Sequence, residues 1–118
     1  MRDTEKFTIA VATKTRGGLD DEVSEVFGRA RAFAVVDIED GEIKDGDVLE
    51  NPAISYEHGA GPIVVKMLVD SGVNVVVGAE LGPDASALLE QHNVIHIIVK
   101  PGINVRGAIS KALDEIKK

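Results

Sequence analysis

The order of apolar and polar positions divides this chain into segments of two periods. "KFTIAVAT" (6–13) is a β-branched apolar run and predicts a strand. "RGGLDDEVSEVFGRA" (16–30) keeps no period and predicts a glycine-containing loop with one helical turn. "RAFAVVDI" (31–38) and "EIKDGDVLEN" (42–51) are strand-like. Between them, "EDG" is a hairpin signal, because Gly41 takes positive φ without steric cost. "PIVVKMLVDSG" (62–72) predicts a helix with Pro62 in its first turn and Gly72 at its exit. "VNVVVG" (73–78) is a short continuous apolar run, the pattern of a parallel strand covered on both faces. A second helix, "PDASALLEQHN" (83–93), follows, then another buried strand, "VIHIIVK" (94–100). The last helix is the clearest: Val105, Ala108, Ile109, Ala112, Leu113 and Ile116 form one apolar stripe behind an Asn104 N-cap.

The element order is therefore β–β–β–α–β–α–β–α. The βα units of the second half demand parallel strands joined by right-handed crossovers, and the hairpin turns strand two against its neighbours. The expected fold class is α/β: one three-layer α/β/α domain over residues 1–118, its five-stranded mixed sheet ordered 3-2-1-4-5 with only strand two antiparallel. Strand direction then brings "RGG", "HGAG", "GAELGP" and "PGIN" to one carboxyl edge. Ligands bind at such edges in open α/β sheets, and helix N-termini opening there favour an anion.

Composition narrows the function classes. With 13 Lys plus Arg against 20 Asp plus Glu, the net charge of −7 argues against nucleic acid and anionic membranes as partners. Aromatic residues make up 3% of the chain, too few for base-stacking platforms. The absence of Cys removes disulfides, cysteine zinc sites and thiolate ligation of a cluster by this chain. "MRDTEKF" lacks a signal-peptide core and no apolar run has the length of a membrane span, so the expectation is a soluble cytoplasmic protein.

The candidate chemistry is sparse. "HGAGP" lacks the Gly-Lys-Ser/Thr ending of a P-loop and the third glycine of a dinucleotide fingerprint. Gly59 and Gly61 are read first as the geometry of a tight helix start, and second as a place where backbone N–H groups meet a ligand. His58 stands in that loop, and imidazole is both a metal ligand and an acid/base near neutral pH; the competing reading is an exposed loop histidine. His96 alternates with apolar neighbours and reads as a partly buried strand residue, whereas His92 reads as a solvated helix-end residue. Lys14, Arg16, Arg29, Arg31, Lys100 and Arg106 fall near the upper loops, as anion-binding charges or as ordinary surface ion pairs. "DDE" (20–22) reads as helix N-terminal charge, with a hard-cation site as the alternative. No Ser–His–Asp, paired-carboxylate or zinc pattern stands out, so an enzyme is not expected.

Ser24, Phe27, Gly28 and Arg29 in "SEVFGR", then Gly59, Gly61, Gly72-Val73, Gly78 and Gly82-Pro83, together resemble the dinitrogenase iron–molybdenum cofactor biosynthesis family over nearly the whole chain. The resemblance implies a ribonuclease H-like fold and a small non-enzymatic domain that binds or carries an iron–sulfur or iron–molybdenum-type cluster or its precursor. The expected cofactor contacts are Gly28, Arg29, His58, Gly59, Gly61 and Gly82, with His58 the remaining candidate metal ligand on that edge of a chain without Cys, and the expected partners are cofactor-biosynthesis proteins. One departure matters. Relatives often carry His-Phe-Gly where this chain has Val26-Phe27-Gly28, so a protein-interaction or regulatory domain that has lost cofactor binding is the alternative.

Overall fold

The computed structural model describes residues 6–56 and 59–116. Strands β1 (Lys6–Thr13), β2 (Ala32–Glu39) and β3 (Glu42–Glu50) precede α1 (Ala60–Asp70), β4 (Val75–Gly78), α2 (Pro83–Gln91), β5 (Ile95–Ile98) and α3 (Val105–Ile116). They form a five-stranded sheet of order β3-β2-β1-β4-β5, as the alternation of strands and helices predicts. β2 runs antiparallel to both neighbours, pairing Lys6 with Glu39 at one end and Thr13 with Ala32 at the other. β1, β4 and β5 are parallel, with Ile9 opposite Val75 and Val76 opposite His96. The β2–β3 hairpin closes through Asp40 and Gly41, both at positive φ (57° and 78°), the backbone of a tight primed turn.

Strand alternation divides the core into two layers. Ile9 and Val11 of β1 face Val105, Ala108, Ile109 and Ala112 of α3. Ala10 and Ala12 face the opposite way, toward Val64, Val65 and Leu68 of α1 and Ala85 and Leu89 of α2. Helices therefore cover both sides of the sheet. Each large buried aliphatic side chain contributes about 1.5–3 kcal/mol relative to exposure. The α3 stripe is graded: its first four members are buried, while Leu113 and Ile116 are partly covered at the margin. Asn104 caps the helix, its Oδ1 accepting the Arg106 N–H at 2.8 Å.

Three local expectations change. α1 begins at Ala60 rather than Pro62, because Gly59 adopts the left-handed conformation (φ 76°) and turns the chain into the helix. Residues 16–30 contain two 3-10 turns, Gly18–Asp20 and Phe27–Arg29, not one helical turn. β5 is not covered on both faces. It is an edge strand with a neighbour on one side only, and Ile95 and Ile98 are 44% and 53% exposed, whereas Ile97 is buried. Among the described residues no helix is long and apolar enough to cross a membrane.

Candidate cation-lined cavity at the carboxyl edge

The carboxyl end of β1 organises the upper loops. The Ser24 N–H donates to the Ala12 carbonyl at 2.9 Å, and the Arg31 N–H to the Thr13 carbonyl at 3.1 Å. The buried Thr13 hydroxyl lies within hydrogen-bonding reach of the Thr15 and Ala32 carbonyls, at 2.7 and 3.0 Å. These bonds bring Lys14, Ser24 and Arg31 around one strand end, although they are far apart in sequence.

Here a cavity of about 490 Å³ opens, lined by Lys14, Ser24, Glu25, Val26, Arg29, Arg31 and Ile54. Lys14, Arg29 and Arg31 thus stand on its walls beside Glu25, on a protein of net charge −7. Lys14 also pairs with Glu22 at 3.2 Å, an exposed contact worth little by itself. Val26 is 38% exposed on the wall and contributes no polar side-chain atom. The Ser24 hydroxyl is turned inward, donating to the Val26 carbonyl at 3.2 Å.

The Gly-rich loops converge around Phe27 and Gly28. The Phe27 N–H donates to the Glu80 carbonyl at 2.8 Å, joining "SEVFGR" to "GAELGP". The Phe27 ring is fully buried, edge-on to Phe33 with centroids 5.5 Å apart. A Cβ on Gly28 would lie 3.4 Å from the Gly61 nitrogen, and one on Gly61 would lie 3.6 Å from the Ala85 Cβ. The glycines therefore allow this loop, α1 and α2 to pack closely. Gly82 is the exposed residue before α2, at φ 74°. Of the six residues named from the sequence, Arg29 lines the cavity, whereas Gly28, Gly59, Gly61 and Gly82 are not among its lining residues and instead shape loop packing and the helix starts; His58 lies outside the described residues.

The other charged candidates separate cleanly. Arg16 pairs with Glu50 at 2.7 Å and Arg106 with Asp20 at 3.6 Å, both on the surface. Of "DDE", only Asp20 lies in a helical first turn, that of the 3-10 turn Gly18–Asp20; Asp21 and Glu22 follow it. Asp21 is buried, and its carboxylate accepts the Thr15 hydroxyl at 2.6 Å and the N–H groups of Thr15, Gly17 and Glu22 at 2.9, 3.0 and 2.7 Å. Burial pushes its pKa up, but the hydrogen bonds from Thr15, Glu22 and Gly17 together outweigh it and leave Asp21 below the usual aspartate value. Its role is to tie the loop that carries Lys14. His92 is exposed at the α2 end, and His96 is partly buried in β5 with no hydrogen-bond partner for Nδ1. Among the described residues no group of three His, Cys, Asp or Glu could hold a metal ion.

Sequence reasoning overlooks Asn51. It is 5% exposed, and its Nδ2 donates to the Gly28 and Ala30 carbonyls at 3.0 and 2.9 Å, while its Oδ1 accepts the Ala53 N–H at 2.8 Å. The available signal was the Asn51-Pro52 dipeptide directly after a strand, a turn pattern.

Comparison with known proteins places this architecture. An uncharacterized protein of Methanocaldococcus jannaschii, MJ0580, is 32% identical over 99 residues, covering 84% of this chain and 76% of that protein. The apo form of the orange protein from Desulfovibrio gigas superimposes with a TM-score of 0.81 at 32% identity, over 92% of this chain and 88% of that one. A putative NifB protein from Thermotoga gives a TM-score of 0.73, also at 32% identity and with the same 92% and 88% coverage. The profile of the family described as dinitrogenase iron-molybdenum cofactor matches residues 6–115. With nearly every described element inside that match, the chain belongs to the dinitrogenase iron-molybdenum cofactor family.

Proposed function

We propose that this chain is a small non-enzymatic domain that binds or carries an iron–sulfur-type metal cofactor, or its precursor, in the cavity ringed by Lys14, Arg29 and Arg31. The observation that carries the reading is the gathering of three basic residues around one cavity of an acidic protein. An assembled metal–sulfide cluster is an anion, and guanidinium and backbone N–H donors hold anions without a bond to the metal. The donor set fits such a guest better than a bare ion. The chain has no Cys, and its described residues offer no group of three metal-ligating side chains. His58 is the one metal ligand this reading adds, with Gly59 and Gly82 leaving open space for a ligand to approach backbone donors, while Gly28 and Gly61 contribute by letting the loop and helices pack closely. Family membership and the likeness to the orange protein, known in an apo form, support it. In the same reading the fold is of the ribonuclease H-like kind, a proposal with which the sheet order is consistent, the protein works in the cytoplasm, and its partners are cofactor-biosynthesis proteins.

One observation favours the alternative of an interaction or regulatory domain. Val26 lines the cavity where the family pattern carries histidine, so a ligand atom is missing from that wall. Anaerobic reconstitution with iron and sulfide, followed by metal analysis and absorption spectroscopy, and a parallel titration with isolated iron–molybdenum cofactor separate the readings. Retention of either cluster after gel filtration supports the carrier. Retention of neither leaves the interaction domain.

A further inference from the structure

The two walls of the cavity have no common secondary-structure element. Arg29 and Arg31 belong to the turn that leads into β2, whereas Ile54 belongs to the segment that leaves β3. Beyond the end of the β2–β3 ladder, the buried side chain of Asn51 bridges them. The two Nδ2 hydrogens of Asn51 go to the carbonyls of Gly28 and Ala30, which flank Arg29, and its Oδ1 takes the N–H of Ala53, the residue before Ile54. Its own backbone N–H donates to the Arg31 carbonyl at 3.3 Å. Both donor hydrogens of the amide are therefore used, on carbonyls on each side of the first arginine, and the main chain holds the second.

We infer that Asn51 is the positioning residue of this cavity: it sets the separation of Arg29 and Arg31 and closes the Ile54 wall against them, so that the cations are pre-arranged for an anionic ligand. The inference rests on the proposed ligand class for its effect on affinity, while its geometric part stands on the hydrogen bonds alone. The physical argument is one of ordering. A turn of the type Phe27–Arg29 has few internal hydrogen bonds, and without the amide the carbonyls of Gly28 and Ala30 turn toward water. The arginine backbones then sample several positions, and a ligand has to order them on binding. The chemistry demands an amide. Aspartate has the same shape and keeps an acceptor for Ala53, but it sets a carboxylate against two carbonyl oxygens and supplies no donor.

The test compares wild type with Asn51→Asp and Asn51→Ala in two measurements. The first is ligand-free NMR of the backbone amides and arginine Nε–H groups. The expected result is shifted or broadened signals at residues 28–31 and 53–54, with Leu68 and Ile109 unmoved. The second is anaerobic titration with isolated iron–molybdenum cofactor, in which both variants should bind about tenfold more weakly than wild type. A residue with a purely structural role would lower the melting temperature and leave the affinity of the folded protein unchanged. That result, or unmoved arginine signals in a folded variant, overturns the inference. If Asn51→Ala does not fold, the isosteric Asn51→Asp decides. If the arginine signals move as expected but wild type binds no cofactor, the positioning role stands and the carrier reading fails.

Discussion

Gly28 lies so close to the first turn of α1 that a Cβ on it would stand 3.4 Å from the Gly61 amide nitrogen and 3.6 Å from its Cα. Those distances are ordinary contact for one methyl group and leave no room beyond it. Gly28→Ala should therefore cost less than about 1 kcal/mol, whereas Gly28→Val should cost about 1–3 kcal/mol by forcing the "SEVFGR" loop off α1. Urea denaturation checks both. Equal effects of the two substitutions would mean that the glycine serves backbone conformation rather than close packing.

The α3 stripe predicts a graded response. Ile109 is 1% exposed, so Ile109→Ala empties a core position and should destabilise by about 2–4 kcal/mol. Leu113 is only partly buried, and Leu113→Ala should cost less. Chemical denaturation giving the reverse order would contradict the packing described for this face.

Asp21 makes stability depend on pH in a defined direction. Its carboxyl titrates below its ordinary value of 3.8, so its contribution is present above that value and is lost as pH falls through the lower, folded-state pKa. Asp21→Asn replaces an acceptor-only carboxylate with an amide whose NH₂ faces N–H donors, and should cost about 1–3 kcal/mol at neutral pH. The gap between the two proteins should narrow as pH falls below 3.8 and through the lower folded-state pKa. Thermal melts across that range are the check, and a gap that stays constant would show that the lost stability does not arise from the charge.

Much of the fold is legible because its causes are local and periodic. The α3 stripe, the Asp40-Gly41 hairpin and the run of βα units dictate a mixed sheet of order β3-β2-β1-β4-β5 before any coordinate is known. "VIHIIV" misleads for a physical reason: a continuous apolar run looks the same in a central strand and in an edge strand whose inner residues alone are covered. The site is less legible. Arg29 stands among several basic residues near the upper loops, and only the fold brings it and Arg31 to one cavity while placing Arg16 and Arg106 elsewhere on the surface. Asn51 acts on carbonyls more than twenty positions earlier in the chain, and no periodicity records such a bond.

Val26 gives a gain-of-function prediction. Its side chain lines the cavity beside the arginines, where an imidazole would add a metal ligand. Val26→His should strengthen cluster binding. Removing the candidate ligand through His58→Ala should weaken it, more than the same change at His92 or His96. Anaerobic titration of the four variants gives the order, and a His96→Ala effect as large as that of His58→Ala would sink the assignment.

In the proposed function, cations rather than a set of metal-ligating side chains hold the ligand. Arg29→Gln combined with Arg31→Gln removes two positive charges from the cavity and keeps polar side chains of similar length. Anaerobic titration of wild type and this double variant with isolated iron–molybdenum cofactor, at low and high salt, tests the claim most directly. The account predicts that wild type binds, that binding weakens with salt, and that the double variant loses at least about tenfold in affinity together with most of the salt dependence. Equal binding by the two proteins, or none by wild type, would contradict it.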